Sequence, residues 1–185
     1  YYNTITSTNM TDGKFPTNIE PKYIPYSKDH ASLTACANPI PLDLKSLFPN
    51  NTVVVTAVPG AFTPTCTEQH IPDYLKHLKD FKDKGVKKII VLSANDPFVM
   101  AAWAKALGYT DEENYVIFAT DPNASISKEL GDGFVADLTL AGMGLRLQRY
   151  ASIVVNGEIT YLETEYSLGF LEISSAETIL KRIHN

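Results

Sequence analysis

Residues 53–66 read VVVTAVPGAFTPTC, and this stretch decides the fold because it joins a buried strand to a helix. The opening run is β-branched, and stiff branched side chains suit a pleated, half-buried surface. The Pro59–Gly60 pair is a strong turn signal and ends the strand. After Cys66, apolar residues recur at helical spacing, which predicts a helix over residues 66–84 with one buried face: Ile71, Tyr74, Leu75, Leu78 and Phe81.

Cys66 therefore lies at a junction between a strand and a helix. Free N–H groups and the positive end of the helix dipole favour a thiolate there. Thr63 can bring its hydroxyl close to the sulfur, while Pro59 and Pro64 stiffen the loop. The result is a small, partly apolar mouth that suits a compact substrate with an electrophilic oxygen. The competing interpretation is a buried, inert cysteine at the start of a core helix.

The pattern PxxxTxxC at residues 59–66 resembles the active-site motif of the peroxiredoxins. The longer run PGAFTPTCTEQHIP, residues 59–72, is similar to the type 5 subfamily. The likeness covers residues 48–163 and continues through LSANDPF at 92–98 with Trp103, then DP at 121–122 and the segment 137–150. Within the subfamily, the chain resembles a fungal branch of thioredoxin-dependent alkyl hydroperoxide reductases.

Further strands and helices alternate along the chain, which predicts an α/β fold around one mixed sheet. The expected strands are residues 88–93 and 116–119 and a hairpin of 150–155 with 159–163 around Asn156–Gly157. The expected helices are residues 98–107, 124–130 and 174–183. The resemblance implies a thioredoxin-like fold with helices flanking the central sheet. We expect a flexible segment over residues 1–14 and a single domain over 15–185.

The resemblance implies that the Cys66 thiolate attacks a peroxide and becomes a sulfenic acid. A guanidinium is well suited to steady the leaving oxygen, because it is always charged and offers several donors. Arg149, just before the strand at 150, matches the family's arginine. Residues three apart in a strand do not point the same way, so at most one of the two arginines faces the sulfur. We expect Arg146 to support Arg149 or to make a surface ion pair. The implied catalytic residues are Cys66, Thr63, Arg149 and Pro59, and the implied substrate-binding residues are Thr65, Gly60 and Arg146.

Other side chains near these motifs have two interpretations. His70 follows Cys66 by four residues, on the same helix face, and is either a proton-transfer group or a histidine hydrogen-bonded to structure; we favour the second. Phe62, Phe98 and Trp103 are either core residues or, as the resemblance suggests, part of a dimer contact.

Cys36, in a small polar loop, is the only cysteine besides Cys66. The fungal branch carries its resolving cysteine in the N-terminal loop, so the resemblance implies that Cys36 forms a disulfide with Cys66, between two subunits of a homodimer. Thioredoxin would then reduce that disulfide. The alternative is a one-cysteine enzyme resolved by an external thiol. A non-enzymatic redox sensor is a further competitor, whereas a CxxC oxidoreductase is disfavoured because residues 67–69 are TEQ.

Composition excludes several classes of function. The net charge of −5 gives no reason to expect nucleic acid or an anionic membrane as a partner, and no apolar run is long enough to cross a bilayer. Two cysteines and four histidines supply no metal pattern, and no nucleotide-binding motif appears, so we expect neither metal nor cofactor. No secretory signal is visible, although a leader removed before Tyr1 stays open. The ending RIHN is not an SKL-type peroxisomal address, and we expect a cytosolic protein.

Overall fold

The computed structural model describes residues 12–184, and most of their strands belong to one mixed sheet. The strands are β1 (Lys22–Tyr23), β2 (Ile40–Pro41), β3 (Thr52–Ala57), β4 (Val86–Ser93), β5 (Val116–Thr120), β6 (Val135–Leu138), β7 (Gly144–Leu147), β8 (Tyr150–Val155) and β9 (Glu158–Thr164). Seven of them form a sheet in the order β2-β1-β5-β4-β3-β8-β9, and β6 pairs with β7 separately.

The centre of the large sheet is parallel and its margins are antiparallel. Strand β3 runs parallel to β4, and β4 runs parallel to β5. On the other side β3 pairs antiparallel with β8, with Val54 opposite Ile153, and β9 closes the hairpin. The predicted α/β fold with a central mixed sheet is confirmed.

Helices cover both faces of this sheet: α1 (Leu44–Leu47), α2 (Ile71–Lys76), α3 (Leu78–Asp83), α4 (Pro97–Ala106), α5 (Ser125–Leu130) and α6 (Ala176–Arg182). Side chains alternate between the two faces along each strand. Val54 accordingly packs in a core with residues of α2, α3, α4 and α6, whereas Val53 and Val55 pack in a second core with residues of α1 and α5. Each fully buried aliphatic side chain contributes roughly 1.5–3 kcal/mol, so both cores hold β3 in place.

The helix predicted over residues 66–84 is present but is not continuous. Its first part is a π-helical turn, Cys66–His70, in which the Ile71 N–H bonds to Cys66 O. Pro72 has no N–H for the carbonyl of residue 68, and its ring would clash with that carbonyl, which disfavours regular α-helix there. A second break falls at His77 (φ −103°, ψ 16°), between α2 and α3. The predicted end at residue 84 is confirmed: α3 ends at Asp83 with Lys84 as its C-cap, and Gly85 follows with φ +77°.

Two hairpins complete the site's surroundings. In the predicted hairpin, Asn156 (φ 51°) and Gly157 (φ 83°) both adopt positive φ, as a two-residue type I′ turn requires. The β6–β7 hairpin was not predicted. Its strands are four residues long and contain Asp137 and Gly144, which are unfavourable residue types in strands.

The N-terminal prediction falls partly outside the described residues, which exclude residues 1–11. Within the rest of the predicted flexible segment, Lys14 forms a bridge with Glu158, and Gly13 O accepts a hydrogen bond from Ile159 N–H at 2.8 Å. Gly13 and Lys14, within that segment, thus contact the β9 end of the sheet, and the flexibility of the segment stays a prediction. Across residues 12–184, no helix combines the length and the apolar character that a bilayer crossing demands.

Candidate active site

Cys66 lies at the carboxyl end of β3, where the loop of residues 58–65 leads into the π-helical turn. Its side chain is fully buried, in contact with the core that includes Val54 and Trp103. The Thr67 N–H bonds to Thr63 O at 3.0 Å, so the N–H groups of Thr65 and Cys66 precede this first helical hydrogen bond. These two N–H groups point toward the start of the helix, where negative charge is favoured.

Arg149, the residue before β8, brings a buried guanidinium to the sulfur. Its Nη2 donates to Cys66 Sγ at 3.3 Å. The same nitrogen donates to Leu168 O at 2.8 Å, and Nε donates to that carbonyl at 3.3 Å. Arg149 is only 1% exposed, and in residues 12–184 no recorded ion pair includes it. Arg149 thus places a buried guanidinium directly against the Cys66 sulfur.

His70 lies behind this guanidinium and is also fully buried. Its Nδ1 is 2.8 Å from Arg149 Nη1, which can only donate, so Nδ1 accepts and the proton sits on Nε2. Nε2 lies 3.1 Å from Ser174 O and 3.0 Å from Thr56 Oγ1. Burial, together with the charge of Arg149, lowers the pKa of His70 to about 3. His70 is therefore neutral at physiological pH and acts as an acceptor that orients Arg149.

The loop before Cys66 is held by side chains from distant parts of the chain. Thr63 Oγ1 donates to Gly60 O at 2.6 Å. Arg146, in β7, donates from Nη1 to Pro59 O and to Asn95 Oδ1, both at 3.3 Å. Asn95 Oδ1 also accepts from the Ala61 N–H at 2.9 Å. Arg146 thus braces the loop, whereas Arg149 touches the sulfur.

A second loop, residues 165–174, supplies carbonyl groups to the site; we call it the Glu165 loop. Leu168 O accepts both hydrogen bonds from Arg149 described above. Ser174 O accepts from Tyr74 Oη at 2.8 Å, in addition to His70. Glu165 itself is 4% exposed, and its Oε1 accepts hydrogen bonds from within the loop.

The three aromatic residues near the motifs differ in exposure. Trp103 is fully buried, and its Nε1 donates to Thr67 Oγ1 at 3.1 Å, which joins α4 to the turn that carries Cys66. Phe62 is 56% exposed and adopts φ 59°, and Phe98 is 46% exposed. Trp103 is thus a core residue, while Phe62 and Phe98 leave apolar surface open beside the site.

Cys36 is exposed, and both cysteines are free thiols. Lys105, on α4, fixes the surrounding loop by donating to Ser32 O and Ala35 O, both at 2.8 Å. We call residues 32–36 the Cys36 loop. Since Cys66 is buried, a disulfide between the two cysteines requires part of the chain to move.

Several of these contacts could not be predicted from residue types. The predicted residues Pro59, Gly60, Thr63, Thr65, Cys66, Arg146 and Arg149 lie in or around one site, whereas Cys36 lies apart in its own loop. Leu168 and Ser174 were missed, because they act through backbone carbonyls that leave no signal in the sequence. Asn95 was noted only as part of a motif; its position just after β4, beside the end of β3, was the available clue.

The arrangement suits a reaction that places negative charge on and near one sulfur. Because His70 is uncharged, it does not neutralise the positive charge that Arg149 places beside Cys66. In residues 12–184 no group of three or more His, Cys, Asp or Glu side chains is arranged to hold a metal ion. The fold and the buried cysteine beside a guanidinium define a thiol oxidoreductase.

Comparison with known proteins specifies the family. The Redoxin family model matches residues 11–180. A protein of Lipomyces kononenkoae, named provisionally a peroxisomal peroxiredoxin, is 51% identical over 84% of this chain and 90% of that protein. Peroxiredoxin AHP1 of Chaetomium thermophilum is 34% identical over 92% of each. The crystal structure of reduced Prx3 from Vibrio vulnificus, in complex with hydrogen peroxide, is 36% identical with a TM-score of 0.75 over 92% of this chain and 96% of that one.

The chain belongs to the Redoxin family, and within it to the peroxiredoxins, which are thiol-dependent peroxidases. The predicted thioredoxin-like fold, the resemblance to fungal peroxiredoxins and the peroxidase activity are confirmed.

The expected cytosolic location is wrong. The relative from Lipomyces kononenkoae is named as a peroxisomal protein, which points to the peroxisome. The expectation rested on composition and on the absence of one type of C-terminal address, and neither excludes the peroxisome.

Proposed function

We propose that Cys66 is the peroxidatic residue and that it reduces hydrogen peroxide and alkyl hydroperoxides. Its thiolate attacks the terminal oxygen of ROOH, so an S–O bond forms while the O–O bond breaks. The leaving RO⁻ takes up a proton and departs as water or an alcohol, and Cys66 becomes a sulfenic acid. The observation that carries this proposal is the 3.3 Å contact between Arg149 Nη2 and Cys66 Sγ.

Arg149 serves two needs of this step. It favours the thiolate before attack, and its remaining donor capacity can stabilise charge that passes to the peroxide oxygens. Because His70 and Leu168 O hold the guanidinium in place, it needs no reorientation during the reaction. Such preorganised donors are typically worth about a hundredfold to a thousandfold in rate.

The loop before Cys66 would bind the substrate. Thr63 commits its hydroxyl proton to Gly60 O, so toward a peroxide its oxygen acts as an acceptor. The N–H groups of Thr65 and Cys66 offer donors at the same place. Pro59 shields the sulfur, and Arg146 holds Pro59 O so that the loop keeps its shape.

For the second half of the cycle, we propose that Cys36 resolves the sulfenic acid. The Cys36 sulfur attacks Cys66, an S–S bond forms, and the sulfenic oxygen leaves as water. The exposure of Cys36 supports access to a partner subunit and to a reductant. Thioredoxin would return both cysteines to thiols by dithiol–disulfide exchange.

We propose a homodimer located in the peroxisome. The exposed Phe62 and Phe98 provide apolar surface next to the site that a second subunit would cover. The location follows the name of the relative from Lipomyces kononenkoae. Sedimentation of the full chain and imaging of a tagged protein in fungal cells would test these two points.

Turnover distinguishes the enzyme from a redox sensor. With a trace of protein and an excess of peroxide, thioredoxin, thioredoxin reductase and NADPH, we expect continuous peroxide consumption by wild type and none by Cys66→Ser. Consumption that stops after one equivalent per subunit would refute catalysis and support a sensor.

A non-reducing gel distinguishes the two resolving routes. We expect the peroxide-treated wild type to run as a disulfide-linked dimer, and Cys36→Ser to run as a monomer. A linked dimer that persists in Cys36→Ser would contradict the role of Cys36, as would a wild type that never forms the link.

A further inference from the structure

The Glu165 loop holds a buried carboxylate that the proposed peroxidase cycle does not use. Glu165 Oε1 accepts three hydrogen bonds, from Glu172 N–H at 2.8 Å, Ser174 N–H at 2.7 Å and Ser174 Oγ at 2.9 Å. Its Oε2 is buried, and no partner is recorded for it among residues 12–184. The side chain is therefore held through Oε1, by backbone and hydroxyl donors of its own loop.

The three bonds to Oε1 join the two ends of the loop. Glu165 begins the loop directly after β9, and Glu172 and Ser174 end it before α6. Between these ends lies Leu168, whose carbonyl accepts from Arg149, and the last residue of the loop supplies the carbonyl that accepts from His70. Both carbonyls that hold the Arg149–His70 pair therefore belong to the loop that the Glu165 carboxylate closes.

The register of the β8–β9 pair also places Glu165 opposite Arg149. Tyr150 lies opposite Thr164 in the β8–β9 pair, and one residue further the Glu165 N–H donates to Arg149 O at 2.8 Å. Residues directly opposite in an antiparallel pair have their side chains on the same face. The Glu165 carboxylate thus fixes the loop next to Arg149, the residue that immediately precedes β8.

We propose that Glu165 is a positioning residue for peroxide reduction: through the loop it closes, it sets the orientation of Arg149 against the Cys66 sulfur. This inference rests on the proposed function, since it concerns the same arginine and the same sulfur. It assigns Glu165 no contact with the peroxide and no proton transfer.

Substitution of Glu165 should therefore slow the first chemical step. We expect Glu165→Ala to lower the second-order rate constant of Cys66 with hydrogen peroxide by about tenfold to a hundredfold, the range typical of a misplaced catalytic group. Glu165→Gln retains an oxygen that accepts the same hydrogen bonds more weakly, and should lose only about fivefold. The matched control is Glu163→Ala, since Glu163 is an exposed glutamate in β9, two residues before Glu165; it should react as wild type does.

A double-mutant cycle separates positioning from a general loss of stability. If Glu165 acts through Arg149, adding Glu165→Ala to Arg149→Lys should change the rate by less than about twofold. Stopped-flow measurements on the full chain supply all four rates, and circular dichroism verifies that each variant is folded. A folded Glu165→Ala with the wild-type rate, or with its full effect in the Arg149→Lys background, overturns the proposal.

Two further measurements test the proposal independently of the rate of Glu165→Ala. If Glu165→Ala does not fold, Glu165→Gln decides: a loss near fivefold supports the proposal and the wild-type rate overturns it. The ultraviolet absorbance of the thiolate at neutral pH, measured in a Cys36→Ser background, needs no peroxide. It should fall in Glu165→Ala, and an unchanged absorbance contradicts the positioning role. A wild type that consumes no peroxide would refute the proposed function, while this absorbance would still report on Glu165.

Discussion

At the scale of the residue, the reactivity of Cys66 depends on which groups contact its sulfur inside the protein. A fully buried cysteine in apolar packing is ordinarily inert. Here the guanidinium of Arg149 is also buried and donates to the sulfur. Nη1 donates to His70, and Nη2 donates to Leu168 O as well as to Cys66, so these contacts hold the guanidinium against the sulfur.

Arg149→Lys tests this dependence. An ammonium keeps the charge but cannot reach Cys66, His70 and Leu168 O with a planar fork of donors. We expect the rate constant for oxidation of Cys66 by hydrogen peroxide to fall by about a hundredfold, measured by stopped-flow. Arg182→Lys, at an exposed arginine, is the control and should have no effect. A rate within twofold of wild type for Arg149→Lys would contradict the role of the guanidinium.

Residue types in the sequence indicated the sulfur, the hydroxyl and the arginine, but not what holds them. The choice of Arg149 over Arg146 came from its place before a strand, and Arg149 is the one that touches Cys66. The acceptors that orient it are the carbonyls of Leu168 and Ser174. Every residue has a carbonyl, so only the folded path of the loop reveals which of them matter.

At the scale of the element, the loop of residues 58–65 depends on a close approach. A Cβ at Gly60 would lie 2.9 Å from Arg146 Nη1 and 3.0 Å from Thr63 Cγ2, too close for either group to stay in place. The helix after this loop was only partly predictable from the sequence: its length and its end before Gly85 were, but its internal breaks were not. The π-helical turn depends on how Pro72 is accommodated within the packed fold.

Gly60→Ala should therefore disturb the loop and slow the reaction. We expect the rate constant with hydrogen peroxide to drop by about tenfold, because Arg146 and Thr63 must both shift. Gly133→Ala is the matched control, since a Cβ there meets nothing within 4 Å. Equal rates for wild type and Gly60→Ala would show that the loop does not need this approach.

The Cys36 loop offers a second test at this scale. Lys105 holds it through two carbonyls, and we expect the loop to leave this position when Cys36 reaches the buried Cys66 sulfur. Lys105→Met should speed disulfide formation after peroxide treatment by at least about tenfold, since losing even one hydrogen bond to a charged group, worth about 1.5 kcal/mol at the low end, corresponds to that factor. Quenched samples on non-reducing gels give this rate. Lys128→Met is the control, and a slower disulfide in Lys105→Met would contradict a restraining role.

At the scale of the whole molecule, the site makes stability depend on pH. His70 stays neutral in the folded protein down to its lowered pKa of about 3, whereas in the unfolded chain it takes up a proton near its ordinary value of 6.5. Between these values the unfolded state binds one more proton, so the free energy of unfolding decreases as the pH falls. The slope from this group is about 1.4 kcal/mol per pH unit.

His70→Gln should remove that part of the slope, because glutamine does not titrate. Chemical unfolding at several pH values between about 6 and 4 measures it, with His184→Gln, at an exposed histidine, as the control. The same slope in wild type and His70→Gln would mean that His70 is not held neutral by burial and by Arg149.

The layered architecture was the most predictable property of the molecule, since β-branched runs, helical spacing and the Asn156–Gly157 turn each act locally. The site was predictable where a motif carried it. The proximity of Arg149 and the Glu165 loop to Cys66 could not be predicted, because it depends on the order of strands β3, β8 and β9 in the sheet.

The most direct measurement is mass spectrometry of Cys66 after one equivalent of hydrogen peroxide, in Cys36→Ser protein with and without Arg149→Lys. With Arg149 intact, we expect one oxygen atom on Cys66 within seconds, trapped as the sulfenic acid. In the Arg149→Lys variant, Cys66 should remain mostly reduced over the same time. If Cys66 stays reduced with Arg149 present, or is oxidised equally fast without it, a thiolate activated by a buried guanidinium is not how this protein works.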